Sequence, residues 1–312
     1  MIGRLIHTGQ AVIDLVMRVP RLPERGGDVL ATTTEPLPGG GFNVMSAAAR
    51  SGARVLYAGS HGTGGFGDTI RAALTAEGVV LVQEPSREVD TGVVVTLVEP
   101  GGERTFATGA GAEGRVRLSH LEHAEAAPDD IVYVTGYSLT HDCNRLALLS
   151  WLPRLPGSMV LFDPGPLVAE IDNDTMAAVL SIVDILSCNA REAELLSGAG
   201  TTKEAPAKLA ALLSATAAVV VREGARGCLI HVDGETVEVP GFPVEPVDTN
   251  GAGDTHCGVL AAELLQGATL REAALRANAA AALSVTRHGP ATAPGRAEIT
   301  ALADTVSTPL DA

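Results

Sequence analysis

Asp248-Thr249-Asn250-Gly251-Ala252-Gly253-Asp254 forms a run of mostly small residues just before a helical pattern over residues 255–267. Small residues allow backbone N–H groups at a helix start to point outward together, where they can hold an anion. Asp254 falls in the first helical turn, where the helix dipole tolerates its charge and lets it face the same anion. A nest of N–H groups beside a carboxylate indicates phosphoryl transfer.

Around this run, short apolar stretches alternate with longer stretches rich in alanine and leucine. This pattern is typical of a parallel sheet covered by helices on both faces. The predicted strands are 5–9, 55–59, 131–135, 159–163, 185–188, 218–222 and 227–231, and the predicted helices are 41–51, 68–76, 143–151, 190–196, 205–214, 253–265 and 270–286. A doubly wound α/β fold is therefore expected.

Two segments, residues 11–34 and 91–108, interrupt the alternation. Within the second, 93–98 and 104–108 flank a Pro-Gly-Gly turn, which predicts a β-hairpin. Such strands would form a small accessory sheet. A sheet that projects from the core could cover a site as a lid, and its exposed strands could pair with a second copy in a homodimer.

The composition favours a small-molecule ligand. The formal charge of −15 argues against nucleic acid or an acidic membrane as the main partner, because both require a basic surface. Lys203 and Lys208 are the only lysines, and both lie in a polar segment that reads as a solvated helix start. A Schiff-base lysine or a P-loop lysine is therefore not expected.

The cysteines indicate a reducing compartment. They are widely spaced and form no CxxC pair, which predicts small reduced core residues rather than zinc ligands or disulfides: Cys143, Cys188, Cys228 and Cys257. No uninterrupted apolar run approaches about 18 residues, and the N-terminus lacks a cleavage-site pattern. We expect a cytoplasmic protein without a membrane partner.

One alternative function rests on Gly62-Thr63-Gly64-Gly65-Phe66-Gly67, which matches GxGxxG after a predicted strand. With Glu84 near the distance expected of a ribose-binding acid, this segment could serve an NAD-dependent oxidoreductase. Ser60 and His61 separate it from the strand, whereas the usual fingerprint turns directly into its helix. The match favours a glycine-rich loop and leaves the oxidoreductase as the alternative.

The run at 248–254 resembles the DTxGAGD signature of the ribokinase-like carbohydrate kinases, also called the PfkB family. Further segments resemble that family's motifs in the same order: Asp14, Gly39-Gly40-Gly41-Phe42-Asn43, Asn189-Ala190-Arg191-Glu192, Arg222-Glu223-Gly224-Ala225-Arg226-Gly227, and 276–289. The family usually has two glycines five and four residues before the asparagine, where this chain has Pro38 and Gly39. This departure bears on substrate identity rather than on phosphoryl transfer.

The resemblance implies one ribokinase-like domain over residues 1–312, a three-layer α/β/α sandwich with a mainly parallel sheet and a small β lid. It further implies an ATP-dependent sugar kinase in which Asp254 is the general base and the backbone of Gly251, Ala252 and Gly253 is the anion hole. The sugar would contact the N-terminal half and the lid, at Asp14, Gly39, Gly40, Asn43 and Arg104. A ribosyl nucleoside is the alternative substrate, but aromatic residues make up only 3% of the chain and offer little surface to stack a base.

The same resemblance assigns the nucleotide and metal contacts. ATP would contact residues of the C-terminal half: Asn189, Arg222, Gly224, Gly227 and Asn278. A hydrated Mg²⁺ would be held through water by Asn189 and Glu192, a pair whose spacing also fits a helix capping box. Asp248 corresponds to a residue that binds a monovalent cation in many members, which leaves a K⁺ requirement open.

Overall fold

The computed structural model describes residues 3–306. Within that range the chain forms thirteen strands: β1 (Arg4–His7), β2 (Ala11–Arg18), β3 (Thr33–Gly40), β4 (Arg54–Tyr57), β5 (Val80–Leu81), β6 (Val93–Val98), β7 (Arg104–Gly109), β8 (Ile131–Thr135), β9 (Met159–Asp163), β10 (Ile185–Asn189), β11 (Ala218–Arg222), β12 (Gly227–Val232) and β13 (Glu235–Pro240). The same residues form eleven α-helices: α1 (Gly41–Arg50), α2 (Gly65–Ala76), α3 (Leu118–Glu122), α4 (Gly136–Leu139), α5 (Asp142–Trp151), α6 (Asn173–Leu180), α7 (Ala190–Ser197), α8 (Ala205–Ala210), α9 (Ala252–Leu265), α10 (Leu270–Ser284) and α11 (Arg296–Ala303).

Nine strands form the main sheet in the order β13-β12-β11-β10-β9-β8-β1-β4-β5. The strands from β11 to β5 pair in parallel, and β12 and β13 add an antiparallel edge. Leu5 packs into a core with α1, α9 and α10, whereas its neighbour Ile6 packs into a second core with α3, α5 and α6. Because successive strand residues enter opposite cores, the predicted α/β/α arrangement with a mainly parallel sheet is confirmed.

Four strands form a separate small sheet in the order β3-β2-β6-β7. The central pair β2 and β6 is parallel, and both outer pairs are antiparallel. The predicted hairpin is present as β6 and β7. Strand β3 ends at Gly40 and α1 begins at the next residue, so the small sheet passes directly into a core helix.

The structure contains elements that the sequence analysis did not predict, because these elements are polar or short. Strand β13 is half polar because it is an edge strand, and α6 is a single short helix; neither was predicted. Helix α2 begins at Gly65, three residues before the predicted start. Cys143 is exposed on α5 rather than buried, although the four cysteines are free as expected. Among residues 3–306, no helix has the length and hydropathy needed to cross a bilayer.

Candidate active site

The N-terminus of α9 offers free backbone donors. Its N-cap, Gly251, has φ 74° and ψ 3°, and a Cβ there would lie 2.1 Å from the Pro290 carbonyl oxygen. No side chain caps this helix, whereas capping boxes close α7 and α10. The first N–H groups of a helix have no partner within it, so those around Ala252 and Gly253 can receive an anion.

Asp254 lies in the first turn of α9 and is held by α1. Asn43 Nδ2 donates a 2.9 Å hydrogen bond to Asp254 Oδ2, which leaves Oδ1 without a protein donor from a side chain of residues 3–306. Burial raises the pKa of Asp254 to about 6; the Asn43 hydrogen bond and the charge of Arg222 oppose this rise, and the nearby Asp163 carboxylate adds to it. A half-buried carboxylate with a pKa near neutrality is suited to accept a proton.

Asp14 in β2 lies near enough to this carboxylate to be affected by its charge. Burial raises its pKa to about 6, with a further contribution from the negative charge of Asp254. The Asp14 side chain lies against Gly39, where an added Cβ would be 2.2 Å from Oδ2. Gly40 follows with φ 60° and caps α1, so this glycine pair carries the chain from β3 into the helix that bears Asn43.

Three adjacent strands place a charged cluster at their carboxyl ends. Arg222 at the end of β11 donates through Nη1 to Asp163 Oδ2 at the end of β9 (3.0 Å), and its Nη2 lies 3.7 Å from Glu192 Oε2. The guanidinium also lies beneath Gly253, since a Cβ at that glycine would be 3.6 Å from Nη2. Burial opposes the charge of Arg222, but Asp163 and its neighbours raise its pKa well above the usual value.

Asn189 and Glu192 form a capping box at the start of α7. Asn189 donates to Glu192 Oε2 through its backbone N–H (2.8 Å) and to Oε1 through Nδ2 (2.6 Å), and Glu192 N–H donates back to Asn189 Oδ1. No group of three His, Cys, Asp or Glu residues within 3–306 could hold a bare metal ion. Each Glu192 oxygen accepts one of these bonds and retains acceptor capacity, so this donor set fits a hydrated cation held through water.

Arg104 and Asp248, predicted to contact substrate and a monovalent cation, meet each other. The Arg104 guanidinium at the start of β7 forms an ion pair with Asp248. The same carboxylate accepts hydrogen bonds from the backbone N–H groups of Asn250 (2.9 Å) and Gly289 (3.2 Å). The ion pair links the small sheet to the loop that leads into α9.

Some of the residues predicted to contact nucleotide have open space around them, whereas others pack against neighbouring strands. Gly224, with φ 61°, has open space around its Cβ position, while Gly227 packs against the end of β13, where a Cβ would lie 2.2 Å from Val239 O. Asn278 on α10 is buried and donates through Nδ2 to the carbonyls of Val239 and Pro240. In this structure Asn278 therefore fixes the end of β13 in place.

The glycine-rich loop at 62–67 already holds an anion, the carboxylate of Asp90. Backbone N–H groups of Gly64, Phe66 and Gly67 donate to it over 2.9–3.1 Å. With these donors engaged internally, the loop lacks the free N–H groups that a dinucleotide pyrophosphate would need. The oxidoreductase alternative gains no support from this geometry.

Asp163 is one of two residues of the candidate site that sequence reasoning missed. It ends a predicted strand, and the carboxyl ends of parallel strands are where α/β proteins bind ligands, so its position was a usable signal. Tyr137 was missed as well; burial and then the charges of Asp254, Asp163, Glu192 and Asp14 raise its pKa to about 12. The charges of all four carboxylates thus reach the phenol, so the four groups lie within one region of the structure.

The three-layer fold and this cleft define a ribokinase-like α/β protein, and the chain belongs to the pfkB family of carbohydrate kinases, whose model matches residues 4–296. The uncharacterized sugar kinase YegV of Escherichia coli (strain K12) is 33% identical over 93% of this chain and 91% of its own length. Ribokinase from Thermotoga maritima has a solved structure with a TM-score of 0.84 and 24% identity, covering 97% of this chain and all of that one. The structure of Arabidopsis thaliana ribokinase complexed with ribose and ATP has a TM-score of 0.79 and 25% identity, covering 97% of this chain and 99% of that one.

Proposed function

We propose that this protein transfers the γ-phosphate of ATP to a hydroxyl group of a sugar or sugar-like molecule. The observation that carries the proposal is the uncapped start of α9 beside the Asp254 carboxylate, which Asn43 holds by a 2.9 Å hydrogen bond. Family membership and the Arabidopsis ribokinase complex with ribose and ATP support the same reaction.

Asp254 acts as the general base. Asn43 occupies one carboxylate oxygen, so the other is available to accept the proton of the substrate hydroxyl. The substrate oxygen forms a bond to the γ-phosphorus as the bond to the bridging oxygen of ADP breaks, and the hydroxyl proton passes to Asp254. The N–H groups of Gly251, Ala252 and Gly253 stabilise the charge on the transferring phosphoryl oxygens.

The charged cluster behind the anion hole supports the phosphates. Arg222 provides a permanent positive charge beneath Gly253, held in place by Asp163. Asn189 and Glu192 would hold a hydrated Mg²⁺, which supplies positive charge to neutralise the phosphates when bound. Binding of K⁺ at Asp248 is proposed separately from the transfer mechanism, because Arg104 already forms an ion pair with that carboxylate.

The small sheet serves as a lid over the sugar-binding half, and the two sheets together form one domain. The lid role is supported by Asp14, which belongs to β2 yet lies close enough to Asp254 for the charge of Asp254 to raise the pKa of Asp14. The outer strands β3 and β7 are largely exposed edges, which suits pairing with a second copy in a homodimer. A cytoplasmic location fits an enzyme that consumes ATP.

Replacing Asp254 by asparagine tests the mechanism. The variant keeps the shape of the side chain but cannot accept the proton, so turnover should fall by about 10²–10⁴-fold while ATP binding measured by calorimetry stays within about twofold. Asp68→Asn is the matched control, because Asp68 also lies in the first turn of a helix but is exposed and paired with Arg71. Wild-type turnover by Asp254→Asn in a sugar screen would refute the assigned base.

A further inference from the structure

Glu113 is a buried carboxylate outside the cluster that surrounds Asp254. It follows β7 in the short segment between the small sheet and α3, and it is only 2% exposed. Its Oε2 accepts the backbone N–H of Gly92 over 2.8 Å, and its Oε1 accepts that of Gly111 over 2.7 Å. An amide side chain has a single oxygen acceptor, so only an acidic side chain can receive the two N–H groups on separate oxygens.

These two glycines lie where the hairpin of β6 and β7 meets the rest of the chain. Gly92 immediately precedes β6, and Gly111 lies just after the end of β7. The two backbones pass in close contact, since a Cβ on Gly111 would lie 2.4 Å from Gly92 N. A Cβ on Gly92 would in turn lie 2.2 Å from Glu113 Oε1. Glu113 therefore joins both ends of the hairpin at one point.

Hydrogen bonds continue from Glu113 in two directions. Toward the core, the buried Asn144 of α5 donates through Nδ2 to the Glu113 carbonyl oxygen over 2.8 Å. Toward the small sheet, the Gly92 carbonyl oxygen accepts the N–H of Ile13 over 3.1 Å, and Ile13 immediately precedes Asp14 in β2. These contacts link a core helix, through Glu113, to the strand that carries Asp14.

From these contacts we infer that Glu113 is a positioning residue, which fixes the base of the small sheet to α5 and thereby sets the position of Asp14 relative to Asp254. The inference rests on the proposed kinase function and on the lid role given to the small sheet. Positioning matters because a displacement of about 1 Å can lower a rate by about 100-fold. Loss of the Glu113 contacts should therefore weaken acceptor binding and spare ATP, whose proposed contacts lie in the C-terminal half.

The opposite end of the hairpin is attached in a different way. Arg104, at the start of β7, reaches Asp248 by an ion pair whose side chains are 24% and 13% exposed. Ion pairs that solvent reaches contribute little to stability, whereas buried hydrogen bonds to a charged group contribute more. The base at Glu113 is therefore the fixed end of the hairpin, and the end at Arg104 is the one that can separate from the core.

Steady-state kinetics of Glu113 variants test the inference, with the acceptor that the wild-type protein phosphorylates best in a sugar screen. Glu113→Gln keeps the shape of the side chain but turns one acceptor into an NH₂ donor that faces an N–H group. The KM for the acceptor should rise at least about tenfold, while the KM for ATP stays within about twofold. Glu113→Ala loses both contacts and should raise the acceptor KM further.

Asp130→Asn is the matched control. Asp130 is as buried as Glu113 and also accepts two backbone N–H groups, from Arg4 and Ala127. It lies at the amino ends of β1 and β8, whereas the candidate site lies at the carboxyl ends of the strands. The control variant should lose stability and keep both KM values within about twofold, because no part of the small sheet depends on it.

An unchanged acceptor KM in a folded Glu113→Gln protein would overturn the inference and leave the kinase function standing. An equal rise in both KM values would overturn it as well, because a general loss of order does not distinguish acceptor from ATP. A wild-type protein that phosphorylates no acceptor would overturn the kinase function and this inference with it.

Amide hydrogen exchange of the wild-type protein, followed by NMR, tests the anchor without any variant. The N–H groups of Gly92 and Gly111 should be protected both with and without the acceptor, because Glu113 holds them in either case. Residues 99–104 should exchange quickly in the free protein and more slowly when the acceptor is bound. Rapid exchange at the two glycines would contradict the role given to Glu113.

Discussion

Replacing Asp14 by asparagine should stabilise the folded protein at neutral pH although it damages the binding site. The Asp14 carboxylate is largely buried, has no donor from the described residues, and lies near the negative charge of Asp254. Asparagine has nearly the same shape and no charge. The variant therefore removes an unfavourable electrostatic contribution without opening a cavity.

The pKa of Asp14 determines the size and sign of the effect. Burial first, and then Asp254, raise that pKa from 3.8 to about 6. Because the folded state binds this proton more tightly, the free energy of unfolding falls as pH rises from about 4 to about 6. A rise of this size corresponds to about 3 kcal/mol at pH 7, at about 1.4 kcal/mol per pKa unit. Since the amide must itself be buried, we expect asparagine to recover about 1–3 kcal/mol.

Urea unfolding of both proteins at pH 4 and pH 7 measures this effect. The stability gain of Asp14→Asn should be near its full value at pH 7 and near zero at pH 4, where Asp14 is protonated in the folded protein. Asp28→Asn, on an exposed loop carboxylate, should change stability by less than about 0.5 kcal/mol at either pH. A loss of stability at pH 7, or a gain that does not depend on pH, would refute the reasoning.

Three further predictions concern the catalytic half. Because the pKa of Asp254 is raised to about 6, kcat should fall about tenfold per pH unit below that value, and a flat profile from pH 4.5 to 8 would exclude Asp254 as the base. Gly251→Ala should cost at least about 1 kcal/mol in thermal unfolding and abolish most turnover, because φ 74° disfavours any other residue. Arg222→Met should cost about 3–5 kcal/mol, and adding Asp163→Asn should recover part of that loss in a double-mutant cycle; additive costs would contradict the pairing.

The sequence predicted the main sheet well because its strands are buried on both faces. The strand 218–222 was predicted with its observed bounds, since a run of valines that ends at an arginine has few alternative structures. Strand β13 was missed because an edge strand carries polar residues on its open face, and β5 was missed because it has only two residues. Periodicity identifies elements that are buried along their length and fails at edges.

The candidate site residues could be named one by one from the sequence, but the contacts between them could not be predicted. Asn43 and Asp254 are 211 positions apart, so no spacing rule could join them before the fold was known. The ion pair between Arg104 and Asp248 was hidden for the same reason, because it depends on where the small sheet lies. The capping box of Asn189 and Glu192 could be considered from the sequence because its two residues are close together in the chain. The structure contains this capping box.

The buried carboxylates of the cleft carry an electrostatic cost that the rest of the fold must offset. Asp14 and Asp254 repel each other, and this cost must be met by packing elsewhere. Helix α9 supplies this packing, because its residues Thr255 to Glu263 are all buried and hold the start of the helix in place. A substrate that donates hydroxyl groups to both carboxylates relieves the strain that the fold imposes. If the proposed role of Asp14 in binding substrate hydroxyl groups holds, the burial that raises its pKa links the stability of the fold to the binding of substrate at the same carboxylate.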